Sequence, residues 1–424
     1  MYLVDVIIAP SISPLLINDP CDRRFCVTFV PVPFFQHDAL GTGKVCGRMS
    51  TSTGESKISS GTTINSEVVR SFEPVKTFDY HQRASITSLD FNDTGQFLIS
   101  AGIDKNIQVY NIYKGVHHSE VQSQKYGVHL ARFTHKELNC LYASTPGEEM
   151  QVDDAIRFLS LSNKQYLRYF KGHKNQVTSI EMNPVLETFM SSSRDRSVKL
   201  WDLRTSSPVG SLDVGQPSVI AHDPKGIVFA VGLYPDPYSS GSGEGIVKFY
   251  DAAAFDKLPF LTVKILVPRG QVWTKLEFSN NGKLLLVGTN SHEHYVLDAF
   301  LGQLLTTLCM PYPGGDKSNR NHWMEFKYPS TGSCSFTPCG KYVLLGSPQL
   351  CVFAFDLNSI KNSEGGSRII SPGTNVPVLE PLHELRTNQG IPKIVAFNPR
   401  LLTFATADNT VSLWQPDLSG NSLH

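Results

Sequence analysis

The sequence predicts an all-β fold, a single seven-bladed β-propeller closed by an N-terminal strand. Three observations carry this reading. Seven copies of one strand–turn–strand–strand unit follow each other from residue 84 onward. Each strand alternates β-branched or aromatic residues with polar ones and is bounded by Asn, Asp, Ser, Pro or Gly. One further strand stands alone ahead of the first copy, where it can close a ring and remove open sheet edges.

The copies open on SLDFNDTG, ARFTHKE, SIEMNPVLE, VIAHDPKG, KLEFSNNG, SCSFTPCG and IVAFNPRL, with anchors Phe91, Phe133, Met182, His222, Phe278, Phe336 and Phe397. Successive anchors lie 42, 49, 40, 56, 58 and 61 residues apart, a spacing suited to four-stranded blades. A second strand follows each anchor turn (FLISAG in the first copy, TFMSSS in the third), and then a third (IQVYNI, VKLWDL). Loops at 235–245, 311–330 and about 359–381 fill the longer late steps. Only ten residues follow Trp414, too few for a fourth strand. VVRSFEPVKTF at 68–78 is therefore expected to complete the seventh blade. The propeller spans 67–418. Ahead of it, 1–66 reads as a disordered or spurious extension, Ser-, Thr- and Gly-rich after Met49, and 419–424 forms a short tail.

The chain has 424 residues, with 38 basic and 38 acidic side chains and a formal net charge of +0. That balance argues against bulk binding of nucleic acid, which needs many phosphate-neutralising cations; no direct sequence-specific nucleic-acid contact is expected. The eight cysteines contain no CxxC pair and read as reduced thiols. No apolar run is long enough to span a bilayer, so no membrane partner is expected.

Residues 172–205 carry the sharpest motif. A Gly-His pair at 172–173 and a Trp-Asp pair at 201–202 bracket three strands, the mark of a WD repeat. Inside it, His173, Ser191, Asp195 and Trp201 are spaced for a buried hydrogen-bonded tetrad. Ser, His and Asp together also suit hydrolysis. No GxSxG elbow or oxyanion loop accompanies them, so the tetrad is read as structural. Other blades are expected to keep only fragments of it, such as Asp104, Asp408 and Trp414. The inward strands offer mostly Ser, Ala and apolar residues, leaving no convergent carboxylates for chemistry in the channel. His117-His118, His135 near Cys140, and His292-Glu293-His294 lack zinc spacing. No catalytic residue, metal or cofactor is expected, and the chain is read as non-enzymatic.

Two surfaces are candidates for partners. Loops carrying Gly-His and turns carrying the tetrad Asp open on one propeller face. That places Lys171, Lys174, Arg194 and Arg196 near one another, with Lys125, Lys105 and Arg83 on adjoining blades. Such a rim suits a phosphopeptide or an acidic partner. An acidic loop with Glu148, Glu149, Asp153 and Asp154 lies on the same side. In the 311–330 insertion, Tyr312 and Trp323 are candidates for a protein contact, with packing back onto the ring as the alternative.

Longer phrases go beyond a generic repeat: QYLRYFKGH (165–173), MNPVLETFMSSSRDRSVKLWDLR (182–204), HDPKGIVFAVG (222–232), KLEFSNNGKLLLVGT (275–289), DAFLGQ (298–303) and SFTPCGKYVLLGS (335–347). They resemble the WD-repeat subunit of COMPASS-type histone lysine methyltransferase complexes, whose fungal members are also found in the cleavage and polyadenylation factor. The resemblance covers about residues 68–417. It implies a scaffold in the nucleus that holds a SET-domain methyltransferase on transcribing chromatin and supports di- and trimethylation of the histone tail. Polyadenylation factor subunits and the phosphorylated tail of RNA polymerase II are further implied partners. The extension and the long loops of the later blades depart from the compact family pattern and leave open which complex this copy serves. Trp-Asp-Leu-Arg at 201–204 points to an alternative, a substrate receptor of a cullin-type ubiquitin ligase.

Overall fold

Seven sheets, antiparallel except for one added strand, surround one axis in the computed structural model, which describes residues 63–136, 138–145, 153–235, 243–311, 324–326, 328–361, 376–387 and 390–417. Six sheets have four strands and one has five. The first strand of each blade touches the first strands of both neighbouring blades, and the seventh meets the first. These first strands therefore line the axis. Blade three is typical, with strands Val177–Met182, Thr188–Ser193, Ser197–Asp202 and Gly210–Asp213 running outward in that order.

The alternation legible in the sequence has a direct packing consequence. Side chains on the two faces of a blade enter different cores, so the buried apolar residues divide into seven clusters, one at each blade–blade interface. Anchor turns add polar links between blades. Asn398 Nδ2 donates to the Gly95 carbonyl at 2.8 Å, joining blade seven to blade one. Gly95 has φ +70° there, and a Cβ would collide with the Asn398 amide, so both handedness and space require glycine.

Ring closure follows the sequence expectation with one change. Phe72–Phe78 pairs antiparallel with Val411–Pro416 and forms the outer strand of blade seven. Residues 68–71 do not extend that strand. Ser66–Arg70 forms a helical turn whose first amides are capped by Asn65, its Oδ1 accepting from Val68 N at 2.9 Å. Val68 and Val69 fall beside Ile64 and Phe72 and pack into the core between blades six and seven. The N-terminal segment thus works as a clasp as well as a strand.

The long loops also depart from simple expectation. The third strand of blade four starts at Gly243, inside the stretch read as loop. Val378–Leu379 runs back to blade five as a parallel fifth strand beside Thr307 and Leu308. Residues 324–326 and 328–333 tie blades five and one together. Met324 N donates to the Asn290 carbonyl in blade five (2.8 Å), while Thr331 N donates to Thr87 O (3.2 Å) and Thr331 Oγ1 accepts from Leu89 N (3.1 Å) in blade one.

Candidate functional site

In blade three the loop before the first strand and the turn after the second converge on Trp201. His173 Nδ1 lies 2.9 Å from Asp195 Oδ2 and His173 Nε2 lies 2.7 Å from Ser191 Oγ. The Trp201 indole N–H donates to the same Ser191 oxygen at 2.8 Å. With the carboxylate accepting from Nδ1–H, Nε2 accepts from the serine hydroxyl. Burial pushes the His173 imidazole below its ordinary value, countered in part by Asp195. Burial alone would raise Asp195; the Lys174 amide, the Ser197 hydroxyl and His173 instead hold its carboxyl down at about 2. Ser191 is fully buried, so its oxygen presents no face to a substrate.

Blade one carries a second full set, contrary to the expectation of fragments. His81 Nδ1 lies 3.0 Å from Asp104, His81 Nε2 lies 2.7 Å from Ser100 Oγ, and Ser100 meets Tyr110 Oη at 3.2 Å. A tyrosine stands where the tryptophan was sought, which is why the set was missed. Blade five substitutes glutamine for histidine, Gln271 bridging Ser291 (2.6 Å) and Tyr295 (3.2 Å). In blade seven the Trp414 N–H donates to Thr406 Oγ1 at 3.0 Å and Lys393 pairs with Asp408 at 3.0 Å.

The basic rim is built on these turns. Lys174, Arg194 and Arg196 are exposed around Asp195, which accepts the Lys174 amide at 2.9 Å. Arg196 and Lys105 hold the same turn position in their blades, with φ +65° and +64°, and both are exposed. The side chains of Lys174, Arg194 and Arg196 have no ion-pair partner among the described residues. Lys171 differs, because Asp153 from the acidic side of the face lies 3.5 Å from its ammonium. Asp153 also takes the buried Arg157 guanidinium at 2.6 Å, and Arg157 stacks 3.7 Å from the Tyr126 ring. Lys125 lies 5.2 Å from the centroid of that ring. Lys125, Tyr126, Arg157, Asp153 and Lys171 thus form a continuous chain from blade two to blade three.

Other candidates fare differently. Tyr312 and Trp323, like Glu148 and Glu149, lie outside the described residues. Tyr328, from the same insertion, packs back toward the ring with its centroid 6.4 Å from that of His129. Arg204 of the Trp-Asp-Leu-Arg box is exposed but forks onto its own Asp202, at 2.9 and 2.6 Å. No group of three or more His, Cys, Asp or Glu could hold a metal ion among the described residues.

The channel corrects a second expectation. The residue just before each anchor faces it: Asp90, Arg132, Glu181, Ala221, Glu277, Ser335 and Ala396 line one cavity of about 420 Å³, together with Lys275. Five of these eight are charged. Arg132 spans Asp90 (3.1 Å) and Glu181 (2.5 Å), while Lys275 meets Glu277 at 2.7 Å. Burial raises the Asp90 and Glu181 carboxyls above their ordinary range, and Arg132 offsets only part of that. Reading each strand alone hid the ring. Comparing one fixed position across all seven copies reveals it.

The sequence pattern of the WD domain, G-beta repeat, matches residues 72–111 and 164–202. Across 84% of its length the chain is 36% identical to "COMPASS component SWD2" of Saccharomyces cerevisiae, covering 98% of that protein. It is 34% identical to "WD repeat-containing protein 82" of Drosophila melanogaster over 82% of this chain and 96% of the relative. Against "Set1 complex component swd2" of Schizosaccharomyces pombe the identity is 33%, over 78% and 92%. Propeller architecture, repeat pattern and near-full-length identity agree: the chain belongs to the Swd2/WD repeat-containing protein 82 family, the COMPASS subunit family of WD-repeat propellers.

Proposed function

We propose that the chain is a non-enzymatic scaffold subunit of a COMPASS-type histone lysine methyltransferase complex in the nucleus, docking a SET-domain methyltransferase on transcribing chromatin. The observation that carries this reading is the identity of 36%, over 98% of its length, to a protein named as a COMPASS component. The buried, doubly bonded Ser191 and Ser100 support the non-catalytic part, since both Ser-His-Asp trios are closed to substrate. The cations of Lys174, Arg194 and Arg196 support a docking face for a phosphopeptide or acidic tail, such as the phosphorylated tail of RNA polymerase II. Membership of the cleavage and polyadenylation factor, through its other subunits, extends the same scaffold role. Depleting the protein in its own cells tests the proposal. Di- and trimethylation of the histone tail should fall, while the purified protein alone transfers no methyl group. Unchanged methylation after depletion would overturn it.

A further inference from the structure

The cavity on the propeller axis has Thr331 at one end. Thr331 is held there on the tetrad side by its bonds to Thr87 and Leu89 of blade one. The other end opens between the anchor turns, where Asp93 and Asp223 stand. The fixed charges inside do not cancel. Three carboxylates (Asp90, Glu181, Glu277) face two cations (Arg132, Lys275), leaving an excess of one negative charge.

Neither cation is free to correct this. Arg132 uses Nε on the Ile180 carbonyl (3.2 Å) and its two terminal nitrogens on Asp90 and Glu181. Lys275 is drawn toward blade six, where it donates to the Cys334 carbonyl at 2.9 Å while pairing with Glu277. Glu181 gives Oε1 to Arg132, and its second oxygen has no partner among the described residues. Burial raises the Glu181 carboxyl; Arg132 and, less strongly, Lys275 pull it down, while Asp90 and Glu277 repel it. Between their blades, blade four contributes only Ala221 at the ring position, so the wall there is small and uncharged. His222 beside it is held neutral by burial, at about 4, and supplies no competing positive charge.

We propose that this cavity binds an organic cation, the guanidinium or ammonium group of an arginine or lysine side chain presented by an extended partner segment. The group enters from the anchor-turn face and rests over Ala221 between Glu181 and Glu277. A volume of about 420 Å³ accommodates a long side chain, and three carboxylates that share two cations gain from a third. This site is separate from the basic rim, which opens on the opposite face and selects the opposite charge.

Calorimetric titration of the full chain with three probes tests the site: a Gly/Ser heptapeptide with one central arginine, the same peptide with neutral citrulline, and agmatine. The arginine peptide should bind saturably, and citrulline should weaken binding about tenfold or more. Glu181→Gln keeps the hydrogen bond to Arg132 and should cost a similar factor with the melting temperature retained. Agmatine binding as tightly as the peptide would support the same site with a free amine as its source. No saturable binding of either cation, equal binding of the citrulline peptide, or a folded Glu181→Gln protein with unchanged affinity would each overturn the proposal. The citrulline comparison needs no variant and decides the matter if Glu181→Gln fails to fold.

Discussion

Trp201 shows how one side chain joins packing to polarity. Its ring stacks on Phe189 at 5.9 Å and is fully buried, while its only polar atom ends the Ser191–His173–Asp195 chain. Trp201→Ala should cost about 3–5 kcal/mol, read as a lower denaturant midpoint. A loss below about 1 kcal/mol would show that the tetrad is not structural. Titration offers a second test. Burial holds His129 and His222 neutral down to about 4, and burial with the neighbouring His292 holds His294 down to about 3. Unfolded histidine titrates near ~6.5, so the unfolded chain binds more protons below that pH. Their stabilisation is intact above about pH 6.5 and is lost by about 1.4 kcal/mol per pH unit per group as pH falls toward 4. The raised Asp90 and Glu181 carboxyls act in the opposite sense and offset part of the loss. Melting temperature should therefore fall between about pH 7.5 and pH 5, and His294→Gln should flatten the fall. A flat wild-type profile would contradict this. At this scale the sequence was only partly legible. Blade three could be read because it has every expected residue type, whereas Tyr110 in place of Trp concealed blade one. The channel charges were missed because an isolated Asp or Glu in a strand looks like an ordinary solvent-facing residue.

Strands were the most legible elements, because alternation and turn residues act locally. Phe97–Gly102, Thr188–Ser193, Leu284–Thr289 and Tyr342–Ser347 fall where the repeat places them. The family match at 164–202 shows why the repeat unit and the blade differ: it joins the outer strand of blade two, Gln165–Phe170, to three strands of blade three. The same offset makes Phe72–Phe78 both the start of a repeat and the last strand of blade seven. The helical turn at Ser66–Arg70 escaped notice because five residues show too little periodicity to outweigh β-branched Val68 and Val69. Strand Val378–Leu379 escaped because two residues carry no pattern, and only tertiary pairing defines it. Deleting 68–78 should give insoluble protein by exposing the edge of Val411–Pro416, whereas deleting 1–60 should leave solubility intact. Equal solubility of the two truncations would refute closure. Val69→Asp should destabilise the clasp by about 3 kcal/mol or more, since it buries a charge without a partner.

Across the whole molecule, a net charge of +0 conceals local structure. Lys174, Arg194 and Arg196 cluster on the tetrad face, while the axial cavity with its surplus carboxylate opens on the other. Composition averages over both faces, so only placement on blades separates them. The rim account leads to a binding prediction. The double charge reversal Arg194→Glu, Arg196→Glu should lower phosphopeptide affinity at least about a hundredfold at low salt while leaving the melting temperature unchanged. Unchanged affinity would remove the rim as the docking face. The scaffold claim itself is tested most directly by affinity purification of the tagged full-length protein from its own cells, followed by mass spectrometry. The account expects a SET-domain methyltransferase with its complex, accompanied by polyadenylation factor subunits if both assemblies use this chain. Recovery of a cullin adaptor, or of no methyltransferase subunit at all, would contradict it.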